Sequence, residues 1–207
     1  MNNIKLFKTP RFLYWIFPRR TWGFSRKRSS VYLTFDDGPQ PEITEWVLDF
    51  LKEKNIKATF FCVGNNLLKY PKITERTKLD GHVVANHTMD HNKGTKTAFK
   101  KYKESIDETS KLVSNNLFRP PYGRITALDS FRINKEYKII MWTWLSYDFD
   151  RNVSIEKILE KAKKQIKAGD IIVLHDNIKT FDRLKLLLPE IVKIIEDKKL
   201  TFEVINS

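Results

Sequence analysis

Short apolar runs alternate with amphipathic helical patterns along almost the whole chain, and this alternation constrains the fold more than any other feature. Seven runs have the length and composition of buried strands: residues 31–35, 58–63, 82–85, 117–119, 137–144, 170–174 and 201–205. Helical periodicity occupies most of the segments between them. Because strands that alternate with helices pair in parallel through right-handed crossovers, the sequence predicts an α/β protein. Two architectures fit: a closed or incomplete β/α barrel, and a doubly wound open sheet.

The first 30 residues differ from this pattern and are predicted to form a basic, aromatic arm. Positive charge is concentrated at Arg19-Arg20 and at residues 26–28, and the whole chain has a net charge of +13 from 38 Lys and Arg against 25 Asp and Glu. This charge favours anionic surfaces without choosing among nucleic acid, phospholipid and anionic glycan. The aromatic residues of segment 11–28 are predicted either to pack across the open end of the domain or to contact a membrane surface.

The apolar segments are too short for a membrane span or a secretory signal. No run reaches the roughly 18 apolar residues of a transmembrane helix. Residues 12–17 are shorter than a secretory core of about 7 to 15 residues, and Pro18-Arg19-Arg20 follows them instead of a cleavage site. The single cysteine, Cys62, excludes an internal disulfide. We therefore expect a protein that is cytoplasmic or peripheral to the membrane.

Chemically unusual residues follow five of the predicted strands, at the end where β/α proteins place their sites. Asp36 and Asp37 come after the first strand, and adjacent carboxylates are costly to ionise unless a cation absorbs their charge. His87 and His91 come after the third strand. Their spacing of four places both imidazoles on one side of a helical turn, and with a carboxylate they provide three metal ligands. The remaining segments are residues 119–123, Asp148, and residues 175–176.

In order, these segments resemble the five motifs of polysaccharide deacetylases of the NodB-homology type, carbohydrate esterase family 4. The matching segments are residues 34–39, 87–91, 119–123, 142–149 and 174–176. The resemblance implies a distorted (β/α)7 barrel, with residues 31–207 as the catalytic domain and residues 1–30 as an arm packed on it.

The resemblance also implies roles for individual residues. Asp37, His87 and His91 would bind a divalent metal, with zinc as the first choice and cobalt, nickel or manganese as alternatives. Asp36 would be the catalytic base and His175 the catalytic acid.

Further roles follow for the residues around this centre. Arg119 would orient the base and Asp148 the acid, while the backbone N–H of Tyr122 would hold the oxyanion. The fourth motif departs from the family pattern, because Phe149 stands where an Asp-Trp pair is usual. Asp148 is the better match there, and Asp150 stays open as the alternative.

The acetyl methyl group is expected to occupy a small apolar pocket. Leu174 and one of Trp142 and Trp144 are the predicted lining residues, and ordinary core packing is the alternative for all three.

The predicted function is therefore metal-dependent removal of N-acetyl groups from a carbohydrate such as peptidoglycan or a chitooligosaccharide. A bound metal suits this reaction because it lowers the pKa of water from 15.7 to about 7. One alternative is deacetylation of another N-acetylated or O-acetylated sugar or of a small amide. Others are an Fe(II) oxygenase, which shares the two-histidine, one-carboxylate ligand set, and a basic module that binds glycan. We expect a monomer whose partner is an N-acetylated carbohydrate, with no specific nucleic acid.

Overall fold

The structure, a computed structural model, describes residues 5–206; residues 1–4 of the predicted arm and Ser207 lie outside the described part. The strands are β1 Ser30–Asp36, β2 Thr59–Cys62, β3 Val83–Asn86, β4 Leu117–Phe118, β5 Lys138–Ile139, β6 Trp144–Leu145, β7 Ile171–His175 and β8 Thr201–Phe202. The helices are α1 Phe12–Ile16, α2 Ile43–Glu53, α3 Gly64–Lys69, α4 Pro71–Leu79, α5 Phe99–Ser110, α6 Ala127–Ile133, α7 Ile155–Gln165 and α8 Phe181–Asp197. None of the helices within residues 5–206 is long and apolar enough to cross a membrane.

Seven of the strands form one curled parallel sheet in the order β5-β4-β3-β2-β1-β7-β6. β1 lies at its centre, and Asp36, the last residue of β1, is opposite Phe61 of β2 and His175 of β7. All seven residues of β1 are buried, as expected for a central parallel strand that is covered on both faces. The sheet and its helices form a distorted β/α barrel, which decides between the two predicted architectures.

The predicted strand over residues 137–144 is divided into β5 and β6, which lie at opposite edges of the sheet. β5 pairs with β4 and β6 pairs with β7, so the segment between them crosses the open side of the barrel. The arm supplies hydrogen bonds along this segment: Thr21 bridges to Ile140 and Lys8 bridges to Trp144. The division reflects tertiary pairing, and a continuous apolar run does not reveal it.

The predicted strand over residues 201–205 lies outside the main strand order of the sheet. β8 pairs with the first two residues of β1, outside the main strand order. It therefore extends the sheet at the end opposite to the carboxyl termini of the strands.

The largest apolar core lies between the sheet and the flanking helices. α2 and α8 have amphipathic sequences and bury one face each, which is the pattern that helical periodicity predicts. The predicted ends of two helices are confirmed. Asn55 follows α2 with a left-handed φ of 53°, and the hydroxyl of Ser154 accepts the backbone N–H of Lys157 at the start of α7.

The arm packs along the barrel for most of its described length. Phe7 is buried in the main core, and the carbonyl of Phe7 accepts the backbone N–H of Leu145. Further along, the ring of Tyr14 stacks on Trp22 with 5.7 Å between the ring centres. Leu13 and Phe17 pack against the same cluster as Tyr14, so one face of α1 is directed inward.

Candidate metal centre and active site

The predicted chemical segments meet around one cleft at the carboxyl ends of the parallel strands. The cleft has a volume of about 750 Å³, and its lining includes Asp36, Asp37, His87, His91 and His175. β1 ends at Asp36 and Asp37 follows it directly, β7 ends at His175, and His87 and His91 lie in the loop after β3. This agrees with the general position of sites in β/α folds.

Asp37, His87 and His91 form a group that could hold a metal ion, because their ligand atoms all lie within 4.8 Å of one another. The Oδ1 atom of Asp37 is 3.0 Å from Nε2 of His91 and 3.6 Å from Nε2 of His87. Two ligand atoms of a tetrahedral zinc ion, each about 2.0–2.1 Å from the metal, are about 3.3 Å apart. The donor set and its spacing therefore fit a divalent ion.

A loop, and not the expected helical turn, brings the two histidines together. Residues 87–93 contain no helix, and Thr88 and His91 have left-handed φ values of 65° and 56°. The side chain of Asn86 accepts the backbone N–H of Thr88 at 2.9 Å, and Ser105 accepts that of Met89. Backbone in the left-handed region is costly for such residues and is held here by hydrogen bonds from neighbouring elements.

Hydrogen bonds to neighbouring residues orient two of the three candidate metal ligands, His87 and Asp37. The Nδ1 atom of His87 is 2.8 Å from the carbonyl oxygen of Arg119, so the ring presents Nε2 toward Asp37. The amide of Asn177 donates to Oδ2 of Asp37 at 2.6 Å and leaves Oδ1 facing the histidines. Contacts of this kind fix the tautomer and position of ligands in metal sites.

The electrostatic environment also suits a cation. Burial lowers the pKa of His87 to about 4, so the ring is neutral and has a free lone pair at neutral pH. Burial raises the pKa of Asp37, but the hydrogen bond from His91 and the nearby imidazoles outweigh this and hold the pKa well below its usual range. Asp37 is therefore ionised at neutral pH.

Asp36 is buried beside this group and is held by Arg119. Nη1 of Arg119 donates to Oδ1 of Asp36 at 2.6 Å and to the hydroxyl of Thr34 at 2.8 Å. The same guanidinium donates to the carbonyl oxygens of Ile140 and Met141 and lies 3.9 Å from the ring centre of Phe61. Arg119 is thus fully buried with acceptors for four of its five N–H groups, and it holds the carboxylate of Asp36 in position.

His175 is paired with Asp148 on the other side of Asp36. Oδ1 of Asp148 is 2.7 Å from Nδ1 of His175, and Oδ2 accepts the backbone N–H of His175 at 2.8 Å. Burial lowers the pKa of His175, but the Asp148 carboxylate more than offsets this and raises the pKa to about 10.

Asp150, the alternative in the fourth motif, instead pairs with Lys5 of the arm. Phe149 lies with its ring 5.2 Å from that of His175.

For the predicted apolar lining, the structure places Trp142 in the cleft and puts Leu174 and Trp144 in the core, the alternative that the sequence left open. Leu174 and Trp144 are fully buried in the main core, and the cleft is lined by Val173, Leu145 and Trp142. Side chains alternate between the two faces of a strand, so Val173 shares the face of His175 while Leu174 points to the helices. Only Trp142 of the three predicted residues lies in the cleft.

Tyr122 lies at the mouth of the cleft, in the short 3₁₀ turn Pro121–Gly123. Its φ of 59° is left-handed. The ring is exposed, with its centre 4.7 Å from that of His91 and 4.9 Å from the Nζ atom of Lys93.

Two functional contacts were missed at the sequence level. Asn177 follows the fifth motif by one residue and is a polar side chain on the correct rim of the barrel, which is the signal that points to it. Asp176 accepts hydrogen bonds from the backbone N–H of Gly38 at 3.1 Å and from Thr44 at 2.6 Å. Burial raises the pKa of Asp176 to about 8. These bonds fasten the loop after β1 to the end of β7.

The fold and the site together define a class: β/α-barrel proteins with an Asp-His-His group at the carboxyl ends of the strands. Residues 25–139 match the polysaccharide deacetylase family. A peptidoglycan-N-acetylglucosamine deacetylase of Bacillus cereus is 33% identical over 185 residues, which cover 84% of this chain and 86% of that protein. A chitooligosaccharide deacetylase of Azorhizobium caulinodans is 32% identical over 160 residues, which cover 73% of this chain and 76% of that protein.

Solved structures agree with the sequence comparisons. The crystal structure of the Bc1960 peptidoglycan N-acetylglucosamine deacetylase superposes with a TM-score of 0.81 at 28% identity and covers 95% of both chains. The chain belongs to the polysaccharide deacetylase family, carbohydrate esterase family 4. The predicted family, enzyme class and distorted (β/α)7 barrel are therefore confirmed.

Proposed function

We propose that this chain is a metal-dependent deacetylase that removes N-acetyl groups from a carbohydrate, with N-acetylglucosamine units of peptidoglycan as the first candidate. The observation that carries the proposal is the joint position of three pieces in one cleft: the Asp37-His87-His91 group, the buried carboxylate of Asp36, and the His175-Asp148 pair. Family membership gives no support to the oxygenase alternative.

The metal would be held by Asp37, His87 and His91, and zinc is the proposed ion. When bound, a divalent ion polarises a carbonyl oxygen and lowers the pKa of a coordinated water to near 7. His87 and Asp37 are already oriented for this by Arg119 and Asn177.

The chain's own residues would move the protons. Asp36 accepts a proton from the attacking water, and Arg119 holds its carboxylate in place. The water oxygen bonds to the acetyl carbon and the carbon–nitrogen bond then breaks. His175 donates a proton to the departing amine, because an amide nitrogen is a poor leaving group as an anion. Asp148 holds the proton on Nδ1 of His175, so Nε2 is the atom that donates a proton to the substrate.

The remaining lining would select the acetyl group. Trp142, Leu145 and Val173 provide an apolar surface for its methyl, next to His175. The backbone N–H of Tyr122 would stabilise the oxyanion, as the family resemblance implies.

Charge around the cleft supports an acidic glycan over a neutral one. Lys93, Arg124 and Lys179 line the cleft, and none of them has a carboxylate within 4 Å among residues 5–206. Peptidoglycan carries carboxylates on its stem peptides, and on its lactyl groups where the peptide is missing, whereas chitooligosaccharides with intact acetyl groups are neutral. Free cations at a cleft rim attract anionic substrates and raise their association rate.

The test is mass-spectrometric detection of acetyl loss, about 42 Da for each group, with and without chelator. The panel pairs muropeptide oligosaccharides with chitooligosaccharides of the same length. We expect chelator-sensitive deacetylation, and a lower kcat/KM of Arg124→Gln on the acidic series alone. Lys100→Gln, which removes an exposed charge of α5, is the control. If metal-loaded protein removed acetyl groups from no glycan in the panel, the proposed activity would be wrong.

A further inference from the structure

The outward face of α1 is apolar although the inward face is already packed. Phe12, Trp15 and Ile16 are 58%, 87% and 59% exposed. Their spacing of three and four residues places them together on one side of the helix. The ring of Phe131 on α6, itself 44% exposed, lies beside the groove next to Ile16. We call Phe12, Trp15, Ile16 and Phe131 the aromatic patch. Contiguous exposed apolar surface of this kind marks an interaction site in soluble proteins.

The segment that carries α1 is strongly basic. Residues 1–30 contain eight Lys and Arg and no Asp or Glu. Arg11, Arg19, Arg26 and Lys27 are exposed, and none of them has a carboxylate within salt-bridge distance in the part of the chain that the structure describes.

Contacts with the ring of Phe131 place two cations next to the patch. The guanidinium of Arg19 lies 4.2 Å from the ring centre of Phe131, and Nζ of Lys135 lies 5.5 Å from it. Arg11 directly precedes Phe12, the first residue of α1 and of the patch. The acid nearest on α6, Asp129, is engaged by the hydroxyl of Thr126.

We propose that the aromatic patch and its cations dock the protein on an anionic phospholipid bilayer. Tryptophan and phenylalanine beside arginine are the residue types that settle at a membrane interface, with the rings at headgroup depth and the cations on anionic lipids. A second copy of the chain fits less well, because a twofold contact through this patch would bring Arg11 and Arg19 toward their own counterparts.

Docking through this surface would bring the cleft close to the bilayer. Arg124 lines the cleft and Ala127 lines the groove beside the aromatic patch. Three residues of chain span at most about 10 Å. This inference does not depend on the proposed reaction, because it rests on a different surface and is measured by binding alone.

The test is co-sedimentation with vesicles of phosphatidylglycerol and phosphatidylcholine, compared with phosphatidylcholine alone. We expect binding to the anionic vesicles that weakens as salt rises. Phe12→Ser/Trp15→Ser/Ile16→Ser should lower the partition coefficient at least tenfold. The matched control is Leu68→Ser/Leu79→Ser/Leu186→Ser, which removes side chains that are 59%, 79% and 59% exposed elsewhere, and it should change binding less than twofold. Similar thermal unfolding midpoints would show that both variants are folded.

A second pair of variants tests the charges. Arg11→Gln/Arg19→Gln/Lys135→Gln should also lose at least tenfold, because these cations lie beside Phe12 and Phe131. Lys52→Gln/Lys100→Gln/Lys111→Gln removes the same charge from exposed positions outside the patch and should lose much less. The proposal is overturned if wild-type protein stays in the supernatant, if neutral vesicles bind equally well, or if the patch variant binds like wild type. If wild type were a dimer in sedimentation velocity and only the patch variants were monomers, the surface would be assigned to contact with a second copy of the chain.

Discussion

Nη1 of Arg119 lies 2.6 Å from Oδ1 of Asp36, and both side chains are buried below the cleft. Removing one partner of such a pair leaves a buried charge without compensation, at a cost of about 3–5 kcal/mol. We predict that Arg119→Met lowers the free energy of unfolding in urea by about that amount. The exposed Arg132→Met on α6 should change it by less than about 1 kcal/mol.

The double variant Asp36→Asn/Arg119→Met completes the cycle. It should be more stable than the sum of the single variants predicts, since neither buried charge remains. An Arg119→Met protein as stable as wild type would show that the pair is not a buried, desolvated one.

The pH dependence of turnover can show whether Asp148 or Asp150 orients the acid His175. The acid must be protonated, so activity should fall as pH rises through the pKa of His175, which the Asp148 carboxylate raises above its usual range. Asp148→Asn removes the carboxylate that raises the pKa of His175, so the alkaline limb of the pH–rate profile should move to lower pH. Asp150 contacts Lys5 and Asn152, and neither contact involves His175, so the profile of Asp150→Asn should match that of wild type. A shifted alkaline limb in Asp150→Asn, with none in Asp148→Asn, would reverse the assignment.

Asn177 should tune metal affinity through Asp37. Its amide donates to Oδ2 of Asp37 at 2.6 Å. Loss of such an orienting contact typically weakens metal binding by about 10–100-fold, and we predict this range for zinc titrated into Asn177→Ala by calorimetry. Asn152→Ala, an exposed substitution in the loop before α7, is the control and should bind zinc as wild type does. Equal affinity in both variants would mean that the contact has no influence on the ligand.

His82 should make the fold sensitive to acid. It lies at the end of the sheet opposite to the cleft, and its Nδ1 accepts the backbone N–H of Ala58 at 3.1 Å. Burial lowers its pKa to about 4, from an ordinary value of 6.5. Between these two values the unfolded chain binds more protons than the folded chain, so stability falls as pH decreases from about 6.5 to about 4.

The contribution of His82 to this loss is about 3 kcal/mol at most. His82→Asn retains an acceptor in place of Nδ1 and cannot titrate. Urea unfolding at pH 7.5 and at pH 4.5 should therefore show a smaller loss of stability for His82→Asn than for wild type. Identical losses in the two proteins would remove His82 as the source.

Most residues of the candidate site could be predicted from the sequence, because they directly follow strands whose order along the chain is predictable. In a parallel β/α fold the carboxyl ends of the strands meet, so Asp36, His87, Arg119 and His175 could be placed together from strand order alone. The two alternatives for Leu174, cleft lining and core packing, could also have been decided from the sequence. His175 faces the cleft, and strand periodicity then requires Val173, not Leu174, to face it as well.

Other features depend on tertiary pairing that no local pattern encodes. The apolar run over residues 137–144 reads as one strand, and only its two different partners, β4 and β7, divide it. The loop over residues 87–93 is shaped by hydrogen bonds from Asn86 and Ser105, so spacing suggested a helical turn that does not form. α1 is apolar on both faces, and composition could not tell which face would pack inward.

The most direct test of the central proposal is a paired measurement on Asp36→Asn: the metal content of the purified protein and its rate of acetyl release. Asp36 does not belong to the group that could hold the metal, so the variant should contain as much metal as wild type. A positioned base contributes about 10²–10⁴-fold to rate, and acetyl release should fall by about that factor. Asp36→Asn protein that keeps its metal and deacetylates at the wild-type rate would contradict the assignment of Asp36 as the base.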